Sequence, residues 1–197
     1  MTDMIVDAIQ ILVSGGMKVE NMQQKTDLFL NDLSVDRFSA LADEAIRASF
    51  EDLVSQLGGD AGAIWIVDKS RPEELAIAVN VGARGSQIEG SVSQDLKSGL
   101  VSKAFREKLL VHDKGVFRDR EQSMDVDMKL GQYTVYQIAG PFSMFGDTIG
   151  AVTIVQLSSV ENAGRSDWGF DEKAVEMFAN WSAIASRLFE YAVVKPA

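Results

Sequence analysis

The chain has no cysteine. That absence removes disulfides, thiolate nucleophiles, thiol redox chemistry and thioether-linked chromophores together. Histidine is nearly as scarce: only His112 is present. A Ser-His-acid site would need that one imidazole placed beside a serine, and no Gly-x-Ser-x-Gly elbow occurs. With one histidine and scattered carboxylates no metal site is expected, and His112 is the one strong nitrogen ligand for haem or iron. Asp125 and Asp127 stand two apart but lack the Gly and closing Glu of a calcium loop, and read as solvated acids. Gly82, Ala83, Arg84 and Gly85 lack the Walker and Rossmann spacings and read as a connecting loop. Neither a catalytic residue nor a cofactor is expected.

Positive charge is also in deficit. Lys and Arg number 19 against 29 Asp and Glu, a net charge of -10, so polyanions are repelled and neither nonspecific nucleic-acid binding nor an anionic membrane surface is expected. No hydrophobic run nears the roughly 18 residues of a spanning helix. The apolar stretch at 4–13 is interrupted by Asp7 and Gln10, and the start of the chain is acidic, which does not fit a signal peptide. A cytoplasmic location is the expectation.

What is present suffices for one domain: 197 residues, 46% of them hydrophobic. Residues 4–13 carry Ile5, Val6, Ile9, Leu12 and Val13 at helical spacing, and Ser14, Gly15 and Gly16 stop the pattern. A second short helix is predicted over 20–30, and residues 1–33 together read as an N-terminal helical arm. Residues 34–197 form the domain proper. Ser34 is placed to cap a helix over 34–57, whose apolar residues recur at three and four until Gly58 and Gly59 end it. Two apolar strands at 61–67 and 75–81, joined by a turn through Pro72, imply a sheet covered on both faces. A helix over 98–108, a short strand at 109–112 and an irregular stretch with a helical turn or two at 113–132 follow.

The last third is the most informative. Strands at 133–142, ending on Pro141 and Phe142, and at 149–157, opening Ile149, Gly150, Ala151, are joined by residues 143–148. An amphipathic helix over 171–192 then opens after Phe170, Asp171 and Glu172. The element order predicts an α+β fold: a central antiparallel sheet with helices on one side and a loop and short-helix layer on the other. This pattern resembles the C-terminal half of a GAF domain, where a strand ending in Pro and a hydrophobe turns into an "IGxLxL"-like strand and a final helix begins near a Phe followed by acids. The resemblance covers about residues 34–193; PAS and other profilin-like sensor folds are its rivals.

What the resemblance implies is a non-enzymatic sensor or signalling module holding an unidentified small molecule over the sheet, beneath the irregular segment. Candidate contacts are Met124, Asp125, Met128, Tyr136, Gln137 and Thr153. Gln137, Thr153 and Gln156 are polar residues inside apolar strands and must find partners. Between Lys103 and Arg120 six basic residues face three acidic ones, so Arg118 and Arg120 are candidates for an anionic ligand. Lacking cysteine, the chain departs from the bilin-attaching subfamily and from the free-methionine-sulfoxide reductases, and the cyclic-nucleotide pattern is not matched by the spacing around Phe38 or Phe170. Two alternatives remain: an interaction or assembly module whose vestigial pocket is filled by its own side chains, and an enzyme using carboxylates alone. The terminal helix carries Val175, Met177, Phe178, Trp181, Ile184, Ala185, Leu188 and Phe189, a stripe wider than one sheet face needs. A homodimer through the N- and C-terminal helices is therefore expected, its interface a bundle of the 34–57 helix and the terminal helix, to which the N-terminal arm could add.

Overall fold

The computed structural model describes residues 19–114, 125–158, 165–166 and 168–195, without the side chains of residues 19, 20, 113, 114 and 125. Helices α1 (Val19–Asn31), α2 (Val35–Ser39) and α3 (Glu44–Gln56) lead into β1 (Ala61–Val67) and β2 (Glu74–Gly82). A 3-10 turn at Gly85–Ile88, β3 (Ser93–Asp95), α4 (Leu100–Glu107), β4 (Val111–Lys114) and α5 (Asp125–Leu130) follow. The chain closes with β5 (Tyr133–Met144), β6 (Asp147–Ser158) and α6 (Glu172–Val194). The strands form one antiparallel sheet in the order β3-β2-β1-β6-β5-β4. Among the described residues no helix is long and apolar enough to cross a membrane.

Strand alternation sends two apolar sets to opposite faces. Ile64, Ile66, Val152, Ile154 and Ile138 point to the side of α1, α2, α3 and α6 and join Phe38, Phe50, Phe142, Phe178 and Phe189 in the main core. Each of these fully buried phenylalanines contributes roughly 1.5–3 kcal/mol of burial. Their rings interlock, Phe38 stacked on Phe189 at 4.6 Å and Phe50 on Trp181 at 4.4 Å between centroids. Ala63, Trp65, Leu75, Ile77 and Ala151 face the other way, under Ile88, Val92, Val101 and Leu130. The expected layering, helices on one side and a loop and short-helix layer on the other, is therefore present.

Three local expectations are corrected. The helix foreseen over 34–57 is two helices. At 40–43 the backbone tightens into short turns, as in the Leu41 N–H to Phe38 carbonyl bond of 3.0 Å, and Asp43 then caps a new helix by accepting from the Ile46 N–H at 2.9 Å. The link at 143–148 shrinks to a two-residue hairpin at Phe145 and Gly146, whose φ of 53° and 89° give the primed geometry that matches strand twist. The Phe145 N–H is taken up by Glu190 of α6 at 2.6 Å. The strand foreseen at 109–112 begins at Val111 instead.

Residues 19–33, within the stretch assigned to an arm, pack into the main core through Phe29 and Leu33. Lys25 Nζ donates to the carbonyl of Lys195 at 3.0 Å, tying α1 to the end of α6.

Candidate functional site

The face of the sheet away from the long helices holds a small, partly open cavity. Register decides its floor. Ala63 pairs with Thr153, and Ala61 and Gln137 both pair with Val155, so paired residues share a face and Gln137 and Thr153 look the same way. The small side chains of Ala61 and Ala63 leave room above them. Trp65 forms one wall, and its indole N–H donates to Thr153 Oγ1 at 3.1 Å. Val126, Asp127 and Leu130 of α5 supply the roof, with Val101, Ile88 and Gln94 at the side. The cavity volume is ≈ 60 Å³. A water needs about 10–15 Å³ on this measure, so the space holds a few waters or a very small molecule.

Most polar groups around the cavity are satisfied by the protein. Thr134 donates its hydroxyl to Asp127 Oδ1 at 2.7 Å and its backbone N–H to Asp127 Oδ2 at 2.9 Å. Asn80 donates to the carbonyls of Ala83 and Gly85, and Gln94 to the Ser98 carbonyl and Ser102 hydroxyl. Gln137 is different. It is 5% exposed, lines the cavity, and its amide makes no hydrogen bond among the described residues. Its amide borders the cavity space, so it offers a guest open hydrogen-bonding sites.

The other expected contacts separate. Gln137 and Thr153 lie in the cavity wall, whereas Tyr136 projects to the opposite face, where it stacks on Trp168 at 6.2 Å. One residue of strand alternation accounts for that. Met128 is 68% exposed and points away from the cavity, because α5 turns its Val126 and Leu130 side inward. Asp125 opens α5, but its side chain, with Arg118, Arg120 and Met124, lies outside the described residues. Among the described lining residues there is no Lys or Arg.

Asp127 does not fit the expectation of a solvated acid, since it is 3% exposed. Its sequence signal was faint: an acid just ahead of a Gly-ended turn, placed to accept the backbone N–H of the strand that follows. Gln156, foreseen as polar and in need of a partner, serves the helix face instead. It donates to the carbonyls of Gly58 and Gly169 and accepts from the Gly169 N–H at 2.6 Å, latching the loop before α6. His112 pairs with Ile138 on that same face, its ring 6.2 Å from Phe170. Among the described residues no cluster of His, Asp or Glu is arranged to hold a metal ion.

No protein-family model and no curated protein sequence matches this chain. Solved structures do. The GAF domain of a phosphoenolpyruvate-protein phosphotransferase from Coxiella burnetii superposes with TM-score 0.59 at 15% identity, covering 86% of this chain and 90% of that one. The second GAF domain of DevS from Mycobacterium smegmatis superposes with TM-score 0.56 at 18% identity, covering 78% and 94%. The fold is GAF-like. It is shared with an enzyme as well: a type II free methionine-R-sulfoxide reductase from Thermoplasma acidophilum superposes with TM-score 0.58 at 16% identity, covering 77% and 94%. At such identities the likeness carries the architecture of the GAF-like domain and leaves its ligand and chemistry to its own residues. Four of its own residues, Gln137, Thr153, Trp65 and Asp127, line a cavity over the sheet.

Proposed function

We propose that this chain is a non-enzymatic GAF-like sensor module that binds a small molecule in the cavity beneath α5 and passes the change to a partner through its helices. The amide of Gln137, with no hydrogen bond among the described residues and facing the cavity, is the observation that carries this reading. The absence of cysteine and the position of His112 on the opposite face support a role in binding rather than turnover. The route outward is β5. It carries Gln137 at the cavity, then Gly140 against Phe178, then Phe142 edge-on to Phe189 at 5.7 Å, and it ends at the hairpin held by Glu190. Occupation of the cavity would thus be felt along α6. A second copy of the chain is the partner that α6 fits best, since Ile184 and Leu188 of its outer stripe remain exposed.

A second reading is favoured by the cavity's size: ≈ 60 Å³ suits the vestigial pocket of an assembly module. A thermal-shift screen of small polar metabolites against wild type and Gln137→Leu separates the two, because a ligand bound only to the native state raises the melting temperature. Sensing predicts hits that vanish in Gln137→Leu. Assembly predicts no hits, and a Gln137→Leu protein at least as stable as wild type with its oligomeric mass unchanged.

A further inference from the structure

The cavity floor and roof are chemically lopsided. Asp127 is its single ionisable lining residue among those described, and it is buried with no ion pair among the described residues. Both of its oxygens already act as acceptors toward Thr134, and each keeps a further lone-pair site. Gln137 adds an unpaired carbonyl oxygen beside its NH₂ group. Trp65 offers an indole, the side chain whose π-face attracts cations most strongly. A guest bringing positive charge and N–H donors would use these remaining acceptor sites. An anion would meet the opposite field.

Resting on the sensing reading above, we propose that this cavity selects a small organic cation, a primary ammonium of a few heavy atoms. Asp127 takes the charge, the Gln137 carbonyl oxygen a second N–H, and Trp65 lies against the alkyl-ammonium body. The volume of ≈ 60 Å³ sets the size limit. This departs from the anionic ligand that the basic stretch ending at Arg120 suggests, because none of the described lining residues carries positive charge.

The test uses the full chain with four probes of similar size at constant ionic strength: ethylammonium, ethanol, acetamide and acetate. Melting temperature and the indole N–H resonance of Trp65 are followed, the latter assigned with a Trp65→Phe variant. The expected result is a saturable rise in melting temperature and a saturable Trp65 shift with ethylammonium alone. Asp127→Asn should weaken binding at least tenfold and Gln137→Leu several-fold. Should Asp127→Asn not fold, the Trp65 titration in wild type decides by itself. Saturable binding of acetamide or acetate that depends on Gln137 would overturn the cation assignment while leaving the sensing site in place. No saturable response to any probe would overturn the cation assignment too, and the metabolite screen would then judge the sensing reading independently.

Discussion

Thr134 and Asp127 form a doubly hydrogen-bonded pair beside the cavity, and they close α5 down on the start of β5. Replacing Thr134 by Val keeps the shape but removes one donor from a buried carboxyl. The expected loss is about 1–3 kcal/mol, measured by urea unfolding, with the release of α5 read as faster amide exchange over residues 126–130. Gly150 is constrained differently. A Cβ at that position would collide with the backbone carbonyl of Trp65 on the neighbouring strand, and backbone cannot swing aside as a side chain can. Gly150→Ala should therefore destabilise by about 1–3 kcal/mol or more, the cost of overpacking. Because Gly150 pairs with Ile66, next to Trp65, the same variant should disturb the Trp65 fluorescence. Unchanged stability and fluorescence would show that β1 and β6 do not approach this closely.

At the level of elements, the break between α2 and α3 is held by charge rather than by apolar packing alone. Arg47 of α3 donates through Nε to the Ala42 carbonyl left open at the break and through Nη1 to Glu89 at 2.6 Å. Ser39 and the Asn80 N–H complete the shell around Glu89. Burial by itself raises the Glu89 carboxyl; the hydrogen bonds from Arg47, Asn80 and Ser39 and the Arg47 charge outweigh it and hold it below its ordinary value. Asp68 follows the same pattern. Burial raises it, but bonds from the Ser70 hydroxyl and from the N–H groups of Val35 and Ser70, with the Arg71 charge, bring it below its ordinary value. A carboxyl depressed in the folded state stabilises the fold above its unfolded pKa. That contribution is lost as pH falls through the folded value. Stability should thus decline on acidification below about pH 4, the ordinary carboxylate range. Glu89→Gln should remove part of this slope and cost about 1.5–3 kcal/mol at neutral pH. An acid-unfolding curve unaltered by Glu89→Gln would show that Glu89 contributes nothing to it.

For the molecule as a whole, the sheet is covered on both faces, and one line of uncovered apolar side chains runs along α6. Phe178, Ala185 and Phe189 of α6 enter the core, whereas Ile184, Leu188 and Tyr191 are exposed along one outer line, with Leu28 exposed on the adjoining α1. Trp181, counted in the same broad stripe, is already covered by Phe50 of α3. The interface of the proposed homodimer is thereby narrowed to α6 and α1, since α3 spends its apolar side inside the protomer. Light scattering of the full chain at micromolar concentration should give a dimer mass. Ile184→Glu with Leu188→Glu should give a folded monomer. A monomer mass for the unaltered chain would remove the homodimer from the proposal.

Much of this architecture was legible from residue order. Apolar runs placed the strands at 61–67, 75–81, 133–142 and 149–157, and helical spacing the last helix, within a few residues, because a strand covered on both faces reads as a nearly unbroken apolar run. The GAF-like layering followed from element order. The break at 40–43 was hidden, since its apolar spacing continues unbroken and only Asp43 and the distant Glu89 reveal it. The site was half legible. Gln137 and Thr153 stood out as polar residues in apolar strands, but which of Tyr136 and Gln137 faces the cavity depends on register and on which layer covers which face, and both are set by contacts far apart in the chain. Asp127 passed for a surface acid because its partner, Thr134, becomes its neighbour only when α5 folds back on β5. Composition alone excluded thiol chemistry. Only the tertiary structure decided that the cavity's one ionisable described lining residue is an acid, because it is the packing of α5 against the sheet that buries Asp127 there.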